Sequence, residues 1–321
     1  MVLLVKKTNE LSAVEITAYC DCFERVFGRV KDSNTFQTEF TNSSIGYSIH
    51  SLLLEDDGRV VGGYTAIPIL YEVNGEDMLF AFGVDLMIDE GYRDDVSNLL
   101  KIIKANDKAM KELGVKCFYG FPNDNSYKVN LAFIRMKDVC SLYTYILPWK
   151  IGAVKSSLKF LNPLSVLLAR LLILCSKLRG GKRIIDNAIH KKQPEFDKSR
   201  YLWFKSDDYC HYQDGIMTCH WKISNFDGTE AAFLMDVYPM SKSNFEKAVS
   251  VAYSECKDKV GSLLYVGYLP FKPCSMIRVP MKFAPKNFHF VAKILDKSEL
   301  SNEIIYNGYN WDVNLASYDL L

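Results

Sequence analysis

Residues 81–129, AFGVDLMIDEGYRDDVSNLLKIIKANDKAMKELGVKCFYGFPNDNSYKV, gather most of the side chains in this chain that could do chemistry. Asp85 is a carboxylate near the end of an apolar run and a candidate proton acceptor. Tyr92 and Arg93 stand in a tight turn where that run gives way to a helical pattern. A helix start offers unpaired amides and the positive end of the dipole, which suits a phosphate or pyrophosphate. Asn98 falls in the first turns of the same helix. Asn123, Ser126 and Tyr127 follow the next short strand. A serine or tyrosine hydroxyl there could donate a proton, and Asn123, Asp124 and Ser126 are equally residue types that cap a helix.

Other combinations carry less. Cys20 and Cys22 are two apart, about 200° around a helix, so they cannot share a metal. Cys210-His211 and Cys219-His220 lack the two-to-four-residue spacing of zinc ligands. No metal site is therefore expected. The chain has no G-x-S-x-G, H-E-x-x-H, Walker or G-x-G-x-x-G pattern. The run RYLWFK at 200–205 reads as one face of an element rather than a nucleic-acid platform.

The elements that must position these residues follow from periodicity. Residues 3–7 form a strand. Val14, Ala18, Cys22 and Val26 are expected to share the buried face of a helix over 13–29. Three strands, 48–54, 59–73 and 78–88, are separated by the turn signals DDG and NGED. A helix over 94–113 stops at Gly114, and Val96 is expected in its core face beside Leu99, Leu100 and Ile103. A strand at 117–121, a helix at 126–136 and a strand at 142–147 complete a mixed α/β first half. The second half repeats this rhythm loosely: strands at 216–223 and 230–238, a helix at 242–258, then strands at 262–270 and 286–295.

Lys and Arg number 39 against 38 Asp and Glu, a net charge of +1, so nothing suggests a protein built to neutralise nucleic-acid phosphate. At 321 residues and 49% hydrophobic, the chain is long enough for two folded domains. Composition divides it into 1–150, a linker at 151–192, and 193–321. Nine scattered cysteines, an odd number, read as reduced thiols of a cytoplasmic protein.

The segment 48–148 resembles the GNAT superfamily of acyl-CoA N-acyltransferases, on its VDLMIDEGYR approach, the amphipathic helix after it, and the GFPNDNSY strand end. The last element and the ending NWDVNLASYDLL are similar to two-lobed bacterial members associated with surface-polysaccharide biosynthesis. The resemblance implies a GNAT-like lobe, with a central, mostly antiparallel sheet flanked by helices, plus a second, similar degenerate lobe. It implies transfer of an acyl group, acetyl in the first instance, from acyl-CoA to an amino sugar or similar small amine. Val84, Leu86 and Ile88 would line the pantetheine arm. Tyr92, Arg93, Asn98 and Asn123 would also contact CoA, and Asp85, Ser126 and Tyr127 would serve the proton transfers. The chain departs from the family's Arg/Gln-x-x-Gly-x-Gly/Ala loop: Arg93 matches, but Val96 and Asn98 replace the glycines, and Asp94 and Asp95 add charge. A carboxylate about 5 Å from a phosphate costs roughly 3 kcal/mol at an effective dielectric near 20. Two other readings therefore stay open: aminoacyl transfer from charged tRNA on a related double lobe, and a non-catalytic acyltransferase module.

Asn162-Pro163 starts an apolar helix, LSVLLARLLILCSKLR, and Gly180-Gly181 ends it. Lys155, Lys159, Lys177, Arg179, Lys182 and Arg183 flank it. It is too short for an ordinary span, which leaves a helix buried between lobes or an interfacial helix at 163–179 on an anionic inner leaflet. The second suits a lipid-linked sugar acceptor and a protein peripheral to the membrane.

Overall fold

The computed structural model describes residues 1–178, 181, 183–193, 195–203, 209–226, 229–283 and 287–317. Strands run β1 (Val2–Lys7), β2 (Ile49–Leu54), β3 (Val60–Val73), β4 (Glu76–Ile88), β5 (Cys117–Gly120), β6 (Lys137–Pro148), β7 (Ile189–Lys191), β8 (Cys210–Gln213), β9 (Thr218–Phe226), β10 (Thr229–Tyr238), β11 (Ser262–Gly267), β12 (Ile277–Arg278) and β13 (Phe288–Ile294). Helices are α1 (Ala13–Phe27), α2 (Ser33–Thr41), α3 (Val96–Glu112), α4 (Asp124–Val129), α5 (Ile151–Val154), α6 (Asn162–Leu178), α7 (Glu195–Asp197), α8 (Lys242–Cys256) and α9 (Asn302–Ile305).

Composition places cuts at residues 150 and 192, whereas packing groups the chain into two discontinuous units. The first holds 1–140, 188–204 and 289–310; the second holds 141–187, 205–288 and 311–321. The reason lies in strand pairing. β7 adds to the far end of β3, and β13 pairs antiparallel with β5, so both late segments return to the first unit's sheet.

In the first unit β1, β2, β3 and β4 pair antiparallel in that order, and β5 joins β4 in parallel through the crossover helix α3. The β3–β4 hairpin turns on Asn74 and Gly75, both at positive φ, the residue pair a two-residue hairpin loop requires. Ile102, Ile103 and Met110 of α3 bury against Tyr64, Ala66, Ala81 and Phe118 on one face of the sheet. Helix α1 packs on β3 and β4. Its buried residues are Ile16, Tyr19, Cys20, Cys22 and Phe23, while Val14 is 77% exposed, so the expected stripe through Val14 and Val26 is corrected by about one position. The two large aromatic rings decide which face turns inward.

The second unit repeats the plan. β8, β9 and β10 are antiparallel, α8 crosses over to β11 parallel with β10, and β6 pairs with β11 on its other edge. The fold is thus mixed α+β, with helix-flanked sheets and two similar lobes. The metal-like pairs lie opposite one another in the β8–β9 ladder, His211 facing His220. Among the described residues no three His, Cys, Asp or Glu are placed to hold an ion. RYLWFK falls partly outside the described residues, as do positions 318–321 of the C-terminal motif and Gly180 of the helix stop.

Candidate active site

β4 and β5 run together only briefly. Their register covers Phe80–Phe82 against Cys117–Tyr119, and beyond Gly83 β4 pairs with β3 alone. Gly83 is required there, because an added Cβ would meet the Tyr64 hydroxyl and the Phe118 ring, each at 2.5 Å. Gly120 lies against it, with the Gly83 carbonyl 3.7 Å from where its own Cβ would stand. The edge of β4 from Val84 to Ile88 is therefore free of a neighbouring strand. Phe82 stacks on Tyr119 and Phe121 on Phe290, the latter rings 5.0 Å apart, and Phe121 meets Phe82 edge-on beside the opening.

Within that edge β4 bulges. Thr65 faces Val84 and Gly63 faces Met87, so Tyr64 is opposed by both Asp85 and Leu86. The extra residue leaves a backbone group without a ladder partner. Asp85 takes φ +50°, a left-handed conformation that Asp adopts more readily than most residues. Its Oδ2 accepts from the Tyr19 hydroxyl at 2.7 Å and from Lys31 Nζ at 2.7 Å. Lys31 also pairs with Glu39 at 2.8 Å and lies over the Phe23 and Phe40 rings. Burial works against the lysine charge, but the two carboxylates outweigh it and raise its pKa. Burial, then Asp85, pushes the Tyr19 phenol well above its ordinary value. Behind Tyr19, Thr65 contacts it at 3.2 Å and His50 Nδ1 at 3.1 Å, while His50 Nε2 reaches Thr8 at 2.9 Å. Burial, then Lys31, lowers His50 to about 3, so its ring is neutral.

This network is what sequence reasoning misses. Asp85 is a candidate from its place on the strand, but Tyr19, Lys31, Glu39 and His50 arrive from four separate elements. The only linear hint is a lysine between two helices rich in aromatics.

At the end of β4, Asp89 N–H donates to the Val61 carbonyl. Ile88 is then a non-hydrogen-bonded position whose carbonyl points away from β3. Arg93 Nε donates to that carbonyl at 2.9 Å, and the terminal guanidinium nitrogens of Arg93 meet no partner among the described residues. Tyr92 is turned elsewhere, its hydroxyl on Glu55 and Arg59. Two expectations for the following loop are corrected. Helix α3 begins at Val96 rather than Asp94, because Asp95 is its extended N-cap and accepts from Ser97 N–H. Val96 is 44% exposed and Asn98, two residues on, takes the inward place, with Nδ2 3.5 Å from the Tyr92 carbonyl. Its Oδ1 is buried without a hydrogen bond. Asp94 and Asp95 both face solvent.

A diphosphate at this turn would find four of the seven amides from Tyr92 to Asn98 already used. Those of Tyr92, Arg93, Ser97 and Asn98 are already bonded, to Asp89, Glu90, the Asp95 side chain and the Asp95 carbonyl. The glycine-type cradle is absent, and beside the amides of Asp94, Asp95 and Val96 the anchored Arg93 fork is the side-chain donor. The β4 edge, by contrast, fits an extended amide-bearing arm.

Asn123 caps α4, accepting from Ser126 N–H at 2.9 Å, and Ser126 Oγ turns back to Asn123. Tyr127 donates to Asp138 at 2.5 Å and stacks on His289, ring centroids 3.9 Å apart. The Asp138 bond, then burial, pushes its pKa up to about 12. Both hydroxyls are thus engaged. A separate surface groove of about 500 Å³ lies along α1, carrying Thr17, Asp21, Arg25 and Arg59. None of the β4-edge residues lines it.

The second unit closes its equivalent opening. β10 and β11 are paired from Ala232–Leu234 to Leu263–Tyr265, and β10 then bulges before Asp236. Here the C-terminal segment enters: Asn314 bridges to Gly267 and donates to Asp236 Oδ1 at 2.8 Å. Trp311, Val313 and Leu315 are buried around it.

No protein-family description and no curated protein sequence matches the chain. Solved structures do. A GCN5-related N-acetyltransferase from Kribbella flavida superposes with a TM-score of 0.57 at 11% identity, over 92% of this chain and 72% of its own. One from Anabaena variabilis gives 0.56 at 12%, over 91% and 73%. A conserved protein of unknown function from Enterococcus faecalis V583, described as a probable N-acyltransferase, gives 0.57 at 12%, over 92% and 73%. At such identities the likeness establishes the fold: this is a GNAT fold.

Proposed function

We propose that this chain is an N-acyltransferase that moves an acyl group, acetyl in the simplest case, from acyl-CoA to the amine of an amino sugar or similar small molecule. The observation that carries this reading is the open, bulged edge of β4 in the first unit, set against the filled opening of the second. The thioester arm lies along Val84–Ile88, taking hydrogen bonds from backbone that β5 has released. The unpaired group at the bulge polarises the thioester carbonyl, as a preorganised amide does for a developing oxyanion. Arg93, fixed by its Nε, offers its terminal nitrogens to the phosphates.

Lys31, Asp85 and Glu39 sum to one negative charge in a nearly buried setting. That excess favours a cationic acceptor, an amine arriving as ammonium. Asp85 Oδ1, which has no partner among the described residues, takes the proton and frees the nitrogen to attack. The nitrogen, now bonded to the carbonyl carbon, gives its surplus proton to solvent as the tetrahedral intermediate collapses, breaks the C–S bond and expels the thiolate. Because Ser126 and Tyr127 are both engaged, the thiolate takes its proton from solvent in this arrangement.

Val96 and Asn98 in place of glycines, with Asp94 and Asp95 beside them, favour a second reading, in which the donor is an aminoacyl ester carrying no CoA diphosphate. Isothermal titration with acetyl-CoA separates the two. Saturable binding is expected, weakened roughly tenfold or more by Arg93→Ala. Absence of heat at millimolar acetyl-CoA, with acceptance of a charged tRNA, establishes the second reading. Absence of both leaves a non-catalytic module. Asp85→Asn, which keeps the left-handed backbone accessible, is expected to lower kcat/KM at least tenfold with the acetyl-CoA Kd unchanged.

A further inference from the structure

We infer that α6 docks this protein on an anionic membrane surface. The helix anchors itself on one side only. Ser165, Ala169, Ile173 and Ser176 are buried, and α6 packs on α8 along that small-residue face. Leu164, Leu167, Leu168, Leu171 and Leu174 are between 45% and 61% exposed. At 100° per residue these five lie within about 120° of arc on the opposite side. The buried-helix reading is thereby corrected: Ser156–Lys177 is long and apolar enough to cross a membrane by composition, yet its apolar face looks outward. The protein-bound face makes an in-plane position the one that fits, because crossing a bilayer would strip α6 from α8.

Charge identifies the occupant. Between Asp138 and Asp186 the sequence holds no Asp or Glu, while Lys150, Lys155, Lys159, Arg170, Lys177, Arg179, Lys182 and Arg183 all fall within it. In a chain with 38 acidic residues, an acid-free stretch of this length is a strong bias. Arg170 and Lys177, both exposed, are seven residues apart and border the leucine arc on the same flank. Lys155, Lys159 and the 76%-exposed Phe160 stand at its N-terminal end. Leucines that enter the acyl boundary, bordered by cations at headgroup level, are what an anionic bilayer takes and a neutral apolar partner does not. Arg179 and Lys182 lie outside the described residues and add only their charge.

Membrane docking does not depend on the acyltransferase reading, since the test reads no activity. The full chain is sedimented with phosphatidylcholine vesicles containing about one-third phosphatidylglycerol, and with phosphatidylcholine alone. Binding to the anionic vesicles is expected, with release as salt shortens the Debye length. Leu167→Glu with Leu171→Glu, at exposed positions where folding is undisturbed, is expected to abolish binding. Arg170→Gln with Lys177→Gln is expected to lower it by on the order of tenfold. In a Cys210→Ser background, an environment-sensitive label on Cys175, which sits within the leucine arc, is expected to shift to the blue on the anionic vesicles. Equal binding to both vesicle types, an unshifted label on bound protein, or a dimer in sedimentation that the glutamate pair dissolves would each overturn the proposal.

Discussion

Asp85 is held in a left-handed backbone by two donors that meet on one of its oxygens, and behind it stands a histidine that burial keeps neutral. The pH consequence follows from the sign of the His50 shift. Its folded pKa, about 3, lies below the unfolded value of 6.5, so under pH 6.5 the unfolded chain binds the proton the folded chain refuses. Stability contributed by neutral His50 is present above pH 6.5 and is lost as pH falls from there toward 3. The limiting slope is about 1.4 kcal/mol per pH unit. Urea midpoints between pH 7 and pH 4 are expected to fall less steeply in His50→Gln than in the parent protein. Equal slopes would show that the ring is hydrated and titrates freely. Lys31 works in the opposite direction: its raised pKa makes its contribution complete below pH 10.5 and lost only in stronger alkali.

At the scale of elements, most of the first sheet was legible in the sequence. The Asn74-Gly75 turn and the Gly114 stop are local signals, and each lies where its chemistry demands positive φ. The start of α3 departs from its expected place for a reason equally physical. Asp94 and Asp95 both have capping chemistry; the side chain of Asp95 takes the cap, so Val96 is the first helical residue while Ile103 and Met110 keep their expected places in the core. Val96 thus turns outward and Asn98 inward. Val96→Gly is accordingly expected to change stability by less than about 1 kcal/mol, a backbone effect alone, and a loss of several kcal/mol in thermal denaturation would show that Val96 packs in the core. Gly83→Ala is different. Its Cβ would displace two fully enclosed rings, at a cost of about 1–3 kcal/mol, and such a methyl is expected to lower the melting temperature measurably. The four-element network around Asp85 was not legible, because contacts between residues 19, 31, 50 and 85 depend on tertiary register that no local pattern encodes.

For the whole molecule, one plan is used twice and left open once. A hairpin with a bulged second strand, a crossover helix and a parallel strand recur in both units. In the second, Asn314 closes the opening and hydrogen-bonds the buried Asp236. Asn314→Ala is expected to destabilise the protein by about 1–3 kcal/mol, measured by urea unfolding, since a buried carboxylate loses a donor. The loose rhythm of the second half was visible in the sequence; the exchange of segments 188–204 and 289–310 was not, because strand order is set by pairing far along the chain.

In the proposed reaction a thioester donor lies on the first unit's β4 edge. Amide hydrogen exchange with and without acetyl-CoA tests it most directly. Added protection is expected at Val84–Ile88 and around Arg93, with none at residues 232–238 of β10. Protection confined to the second unit, or none in either while acetyl-CoA binds, would contradict it.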